Sequence, residues 1–490
     1  MSQGIFRVSA ISVASALALA GCSLAPKYER PLAPVPAHYP ELAEQGGQVV
    51  AATPLSGVQA SADLGWREFF RDPRLQAYIA LALENNRDMR IAIERIQEAR
   101  AQYGIVDSDR LPTIGIGGNG QITRNPPDLR AGGPDSDSVS RFYSAGVGIT
   151  SFELDFFGRV RNLSEAARQQ YLATTEARRT MHINVVALVA EAYFRLRTAQ
   201  ELQGLNAKTL ESRLGSYKLV QARFNAGVAS ALDVYQARSQ LDSIYAEEAA
   251  VKRMQAQAVN ALRLLVGGDT DIDVAGLTFG RDQLLAQIPV GLPSDLLERR
   301  PDIMGAEHGL LAANANIGAA RAAFFPRISI TGLLGFASPQ LGGLFGAGNR
   351  YWQFSPQLVM PIFAGGVSGG LDLAKARNNI AVAQYEQAIQ TAFREVADAL
   401  AGEATYTQQL DALRSLEGSA SNTLRLARLR YETGIDSFLQ VQSAEVDLYT
   451  TQRTFLETGM DSLMNRVELY KALGGGWLAD TASTQASAAL

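Results

Sequence analysis

Two glycine-rich motifs, a run of aspartates and three histidines are the groups in this 490-residue chain whose spacing could support chemistry. Gly115-Ile-Gly117-Gly-Asn-Gly120 fits the phosphate-cradling pattern G-x-G-x-x-G. That pattern holds a dinucleotide only where it follows a strand and opens a helix; here it lies within a strand pattern that leads into a loop. Gly366-Val-Ser368-Gly-Gly370 fits the nucleophile-elbow pattern G-x-S-x-G, between a strand and a helix. The matching hydrolase order is Ser, then acid, then His, yet His38, His182 and His308 all precede Ser368. Asp269-Thr-Asp271-Ile-Asp273 lacks the Gly at the sixth and the Glu at the twelfth position of a calcium loop and reads as a solvated linker. Scattered histidines and a single cysteine give no metal centre and no disulfide framework. The chain therefore reads as no enzyme, with no resident cofactor. With 45 basic and 49 acidic side chains and a net charge of −4, nucleic acid is not its partner.

The elements that would position any site are unusually long. Residues 135–288 and 362–490 contain no proline, and proline breaks helix interiors. From Arg159 to about Asn225 the chain is rich in Ala, Arg, Glu and Leu; at 1.5 Å per residue that helix would span about 100 Å. Val251, Met254, Ala258, Ala261 and Leu265 step by three and four, as do Leu456, Met460, Leu463, Val467 and Tyr470, which is a coiled-coil seam. Residues 74–107 carry helix formers. Ile114 and Ile116, and Val147 and Ile149, alternate with small or polar residues, a period of two that predicts strands.

The chain is written twice. Arg223-Phe224-Asn-Ala-Gly227-Val-Ala-Ser230-Ala-Leu232-Asp-Val234 matches Arg430-Tyr431-Glu-Thr-Gly434-Ile-Asp-Ser437-Phe-Leu439-Gln-Val441 at an offset of 207 residues. The same offset pairs Gly158 with Gly365, Val189-Ala190 with Val396-Ala397, and Gly267-Gly268 with Gly474-Gly475. Such internal self-similarity marks a repeated structural unit. The first repeat is set at 66–268, with strands about 112–124 and 142–157 and helices about 159–225 and 230–266. The second is set at 288–477, with strands about 326–337 and 351–363 and helices about 370–432 and 437–473. An inter-repeat linker covers 269–287, and a disordered tail covers 478–490.

Gly227 and Gly434 can take the left-handed conformation that ends a helix, and Ser230 and Ser437 are favoured N-caps three residues on. Ser437-Phe-Leu-Gln440 also fits a capping box. Each motif thus predicts a tight helix–turn–helix hairpin, with the strands at the opposite end. Four strands cannot close a membrane barrel, for which about eight is the minimum, and open sheet edges are not tolerated in lipid. Strands of this kind enter a membrane only if several chains contribute to one barrel.

Arg7 and the apolar run Val8–Ala20 form a signal peptide, residues 1–21, and the chain there reads Leu19-Ala20-Gly21-Cys22. This resembles a bacterial lipobox, which implies cleavage before Cys22 and covalent lipid, including palmitate, on that thiol. Ser23, rather than Asp, implies sorting to the outer membrane. Residues 22–65, with six prolines from Pro26 to Pro54, read as an extended linker from the lipid to the body.

Taken together, the lipobox, the duplicated hairpins, Arg300-Pro301-Asp302, Pro361-Ile-Phe363-x-x-Gly366 and Leu469-Tyr-Lys-Ala-Leu-Gly-Gly-Gly-Trp477 resemble the outer-membrane efflux factor lipoproteins of the TolC/OprM/NodT group, over nearly all of residues 60–477. The resemblance implies a mainly α, TolC-like fold. Each chain would give four barrel strands and long coiled-coil helices to a homotrimer, a β-barrel continued by an α-helical periplasmic tunnel. It implies a passive exit duct in the outer membrane of a Gram-negative bacterium, conferring multidrug resistance. Its partners would be outer-membrane lipids, a periplasmic adaptor and an inner-membrane transporter of RND type. A duct for protein secretion or metal-ion efflux, or a structural coiled-coil surface lipoprotein, is the alternative.

By the same resemblance, Gly227, Val228, Ser230, Gly434, Ile435 and Ser437 would meet the adaptor. Tyr431 would help hold the tunnel tip closed, with Leu439 as an apolar constriction. Family members place aspartates just after that leucine, where this chain has Gln440 and Ser443; Asp233 keeps an aspartate in the first half. Asp436 and Glu445 are the candidates for an acidic lining instead.

Overall fold

The computed structural model describes residues 23–37, 39, 63–130, 133, 135, 137–268, 272, 284, 288 and 295–480. The signal peptide, Cys22, Asp269, Asp271, Asp273 and the tail from 481 lie outside the described residues. The elements are α1 (Pro73–Asn85), α2 (Arg87–Ser108), β1 (Ile114–Arg124), β2 (Val139–Leu154), α3 (Arg159–Asn225), α4 (Ala231–Val266), α5 (Pro301–Ala322), β3 (Arg327–Ser338), β4 (Arg350–Val359), α6 (Gly365–Glu432) and α7 (Phe438–Ala472), with single helical turns at Trp66–Phe69 and Leu296–Arg299. No helix among the described residues is long and apolar enough to cross a membrane.

The helix expected over 74–107 is divided at Asn86, whose backbone is extended (φ −60°, ψ 133°). Its side-chain oxygen accepts from the N–H groups of Asp88 at 2.9 Å and Met89 at 3.1 Å, which caps α2, while its amide donates to the Leu265 carbonyl at 3.0 Å. A short amide that satisfies backbone groups locally competes with helix continuation.

The chain forms two compact units. The first comprises Met1–Leu32, Arg95–Thr175 and Gly305–Tyr385. It contains an antiparallel sheet in the order β1-β2-β3-β4, with β1 and β4 at the edges. The register opposes Ile116 to Val147, Val147 to Leu334, and Leu334 to Trp352. Following it strand by strand gives two unlike faces. One carries Ile114, Ile116, Ile122, Val147, Ile149, Leu334, Phe336, Trp352, Phe354 and Leu358. The other carries Asn119, Gln121, Thr123, Ser144, Ser329, Thr331, Gln353, Ser355 and Gln357. The apolar face is not covered: Ile116 is 89% and Trp352 74% exposed.

Three glycines shape the seam between β2 and β3, where the two sequence repeats meet. A Cβ on Gly146 would lie 2.8 Å from the Gly335 Cα, and one on Gly335 would lie 2.5 Å from the Gly146 Cα; Gly148 is similarly tight against the Gly332 carbonyl. All three belong to the polar face, so crowding there bends the sheet toward that side, as glycine kinks do in curved sheets. Where β2 meets α3, Arg159 grips Glu153 through two hydrogen bonds of 2.8 and 2.6 Å.

The second unit comprises Ala33–Glu94, Glu176–Met304 and Glu386–Leu490. Its core joins Trp66, Phe69, Phe70 and Ile79 to Val185, Val189, Tyr193, Leu196, Leu262, Leu463, Val467 and Tyr470. The Phe69 and Tyr470 rings stack at 4.0 Å. Arg300 is buried and accounts for the Arg-Pro-Asp motif: it pairs with Asp302 and Glu395 and donates to the Ala472 carbonyl at 3.0 Å. Trp66 N–H and Arg67 N–H donate to the carbonyls of Leu478 and Ala479, so the first residues of the expected disordered tail are paired.

Candidate functional site: the helical hairpin tips

Within the second unit, α3–α4 and α6–α7 each turn back in a few residues. Gly227 (φ +75°) and Gly434 (φ +77°) adopt the left-handed conformation. Val228 N–H donates to Arg223 O at 2.9 Å and Gly227 N–H to Phe224 O at 2.9 Å; Ile435 donates to Arg430 O at 2.8 Å and Gly434 to Tyr431 O at 3.0 Å. This pair of bonds is the Schellman termination, and only glycine takes that φ without a Cβ penalty.

The starts of the next helices differ. The capping box is at Ser230, not at Ser437: Asp233 N–H donates to Ser230 Oγ at 3.1 Å, and Ser230 N–H to Asp233 Oδ2 at 3.0 Å. Ser437 makes no side-chain cap. The repeat-equivalent of Asp233 is Gln440, which is exposed and does not close the box. Asp233 is thereby committed to its own hairpin.

Divergence at one further pair separates the two arginines. Asp436 corresponds to Ala229. In the second hairpin Arg430 turns back on Asp436, with Nε–Oδ2 2.6 Å and Nη2–Oδ1 3.0 Å; this guanidinium holds the Asp436 carboxyl below its usual range. In the first hairpin Ala229 offers no partner. Arg223 reaches across instead, lies 4.7 Å over the ring of Tyr431 and donates to its carbonyl at 3.3 Å. A guanidinium over a tyrosine face is attractive.

Tyr431 is buried with Val220, Ala237, Leu424, Ala427, Phe438, Val441 and Ala444, a small core that ties all four helices. Its ring lies 5.5 Å from that of Phe438. Burial raises its phenol above the ordinary tyrosine range, and the buried hydroxyl has no hydrogen-bond partner among the described residues. Beside it is a cavity of about 310 Å³ lined by Ser212, Ser216, Arg428, Tyr431 and Phe438 among others.

Glu445 is not an exposed lining residue. It is 5% exposed, accepts from Arg428 at 2.7 Å and from Ser216 at 2.8 Å, and Arg428 also contacts Ser212. This knot joins α6 and α7 to α3. Neither Arg428 nor Arg223 stands out in the sequence; the offset of the repeats is the one signal that points to Arg223, because it superimposes on Arg430. Asp436 faces Arg430, and so the two acids expected to form a lining are both neutralised by arginine. Leu439 is 54%, Ile435 64% and Val228 64% exposed, and Gln440 and Ser443 lie on the same helix as Leu439. Ser368 lies in the first turn of α6 and donates to Gly365 O at 3.0 Å. Gly115–Gly120 lie inside β1.

The sequence profile of the "Outer membrane efflux protein" family matches residues 78–268 and 292–475, one match for each repeat. The chain belongs to the outer membrane efflux protein family. This efflux protein is 44% identical over 477 residues to "Toluene efflux pump outer membrane protein TtgC" of Pseudomonas putida, with 96% of this chain and 97% of the relative covered. It is 43% identical over 479 residues to "Outer membrane protein OprJ" of Pseudomonas aeruginosa, covering 97% of each. Its fold superimposes on the open state of the MtrE outer membrane channel of Neisseria gonorrhoeae with a TM-score of 0.81 at 37% identity, covering 94% of this chain and all of that one. The mainly α, TolC-like fold and the function of outer-membrane exit channel for efflux follow from that membership, and the family is not one of enzymes.

Proposed function

We propose that this efflux protein is a lipid-anchored homotrimer that passively conducts drugs or other solutes delivered by an inner-membrane transporter, of RND type, through a periplasmic adaptor. The observation that carries the trimer is the four-stranded sheet, with an exposed apolar face, a polar face and two edge strands. Unpaired edges are excluded from lipid. Three such sheets supply twelve strands, more than the roughly eight a membrane barrel needs. Apolar residues then face lipid and the glycine-crowded polar face lines the lumen. Lipid on Cys22 adds an anchor, each buried CH₂ contributing about 0.8 kcal/mol.

Opening of the tip involves no covalent step. The Arg223–Tyr431 contact holds the two hairpins together, the Arg430–Asp436 pair stiffens the second, and the exposed Val228 and Ile435 offer the adaptor its contact. The test is reconstitution of the purified full-length chain. The expected result is an assembly of three chains in detergent and discrete conductance steps in planar bilayers. A monomer that does not conduct overturns the proposal.

A further inference from the structure

The residues that follow the acyl acceptor are docked, although their sequence reads as a tether. Ser23 Oγ donates to Asn162 Oδ1 at 2.9 Å, in the first turn of α3. Arg321 donates to Leu24 O at 3.1 Å, and Asn314 Nδ2 to Pro26 O at 2.9 Å. Tyr28 OH donates to Glu307 at 2.8 Å, and Arg30 grips both oxygens of the same carboxylate at 2.8 Å each. Glu307, Asn314 and Arg321 recur every seven residues and so share one face of α5.

Gly318, between the last two, completes the track. A Cβ there would lie 2.8 Å from the Ala25 nitrogen and 2.6 Å from Asn162 Nδ2, so the missing side chain admits the strap. Underneath, Ala166 of α3 packs with Ala312 and Ala315 of α5. A flexible linker would leave its backbone to water; here three side chains of α5, seven residues apart, bond its carbonyls and side chains. Glu307 is the strongest point, since its charged and bidentate bonds outweigh neutral ones.

We propose that Ser23–Arg30 is a built-in strap, clamped by Glu307, that fixes Ser23, the residue covalently next to the acyl acceptor, beside the helix ends nearest the sheet. Asn162 lies just after β2 and Arg321 just before β3. The lipid would therefore enter the membrane at a depth set relative to the strand ends that adjoin α3 and α5. The strap also bridges the repeats, since α3 belongs to the first and α5 to the second. The inference rests on the lipidation of Cys22 proposed above.

The test uses the full-length protein, purified in detergent after labelling with radioactive palmitate. Trypsin cuts after Lys27, within the strap, and the Arg30–Pro31 bond is resistant. Cleavage at Lys27 releases the labelled peptide from the body. The wild type is expected to retain its label, whereas Tyr28→Phe combined with Arg30→Gln, and separately Gly318→Leu, are expected to lose it roughly tenfold faster, because proteolysis follows the population of the undocked form. The strap-side variants leave the helices untouched, so a folding failure does not imitate this result. Equal release from wild type and variants overturns the strap. No label on the wild type overturns the lipid reading instead, and mass spectrometry of the Lys27–Tyr28 cut then still decides the docking.

Discussion

The guanidinium of Arg223 lies over the ring of Tyr431, 4.7 Å from its centroid, and this contact joins the first hairpin of the chain to the second. Its repeat-equivalent, Arg430, makes no such bridge because Asp436 captures it. Two copies of one motif thus do different work: one arginine ties the hairpins together and the other stiffens a single turn.

Replacement of Arg223 or Tyr431 by Ala removes that tie and is expected to raise the conductance of the closed channel in planar bilayers. Asp436→Ala frees Arg430 and is expected to act in the same direction, more weakly, because both side chains are at the surface. Unchanged conductance in Tyr431→Ala and Asp436→Ala shows that these residues do not govern the tip.

The Arg430–Asp436 pair also sets a pH dependence. The Asp436 carboxyl is held below its ordinary value of 3.8. A depressed folded-state value stabilises the hairpin at all pH above that ordinary value and loses the contribution as pH falls through the folded-state value. Conductance is therefore expected to stay level from neutral pH down to about 4 and to change only below it. The Asp436→Asn channel is expected to lack the acid response.

Glu445→Ala leaves Arg428 beside a cavity without its carboxylate. The loss of a hydrogen-bonded charge pair with one buried partner is expected to destabilise the protein by about 2 kcal/mol, and Glu445→Gln, which keeps an acceptor, by less. Thermal melting of the detergent-solubilised assembly measures both. Equal melting of Glu445→Ala and wild type refutes a stabilising knot.

The seam glycines and the outer ones are expected to separate. Gly335→Val pushes a side chain into the β2 backbone and is expected to cost at least about 2 kcal/mol, seen as loss of assembled protein in the outer membrane. At Gly117 a Cβ would meet no atom of the described residues within 4 Å, so Gly117→Ala is expected to assemble normally.

Cys22→Ser is expected to abolish palmitate incorporation while leaving the fold in place. Label that persists in this variant shows another attachment point.

Most of the architecture is legible in residues. Long proline-free runs, heptad steps and the repeat offset predict the helices, and alternation of Ile and Val with small residues predicts the strands, because both follow from backbone periodicity. The hairpins are legible because a left-handed glycine leaves few substitutes. The break at Asn86 is hidden, since it depends on donors that α2 supplies and on a carbonyl, that of Leu265, far away in sequence. The site is legible only in part. Tyr431 and the glycines follow from the motif, whereas the burial of Glu445 depends on Arg428 and Ser216, which no local pattern joins. The strap is the clearest miss: prolines signal an extended chain and are silent on what that chain lies against.

Gly146 faces Gly335 across the β2–β3 seam, and neither tolerates a Cβ against the other's backbone. One glycine comes from each half of a duplicated chain. The halves have drifted apart at Ala229 and Asp436, and at Asp233 and Gln440, where side chains have room to find other partners: Asp436 captures Arg430, and Arg223 crosses to Tyr431. At the seam they cannot: a change accepted by one copy is vetoed by the other. Room for the two copies to differ therefore lies at the tips and is closed in the sheet, at the place where the products of the duplication touch.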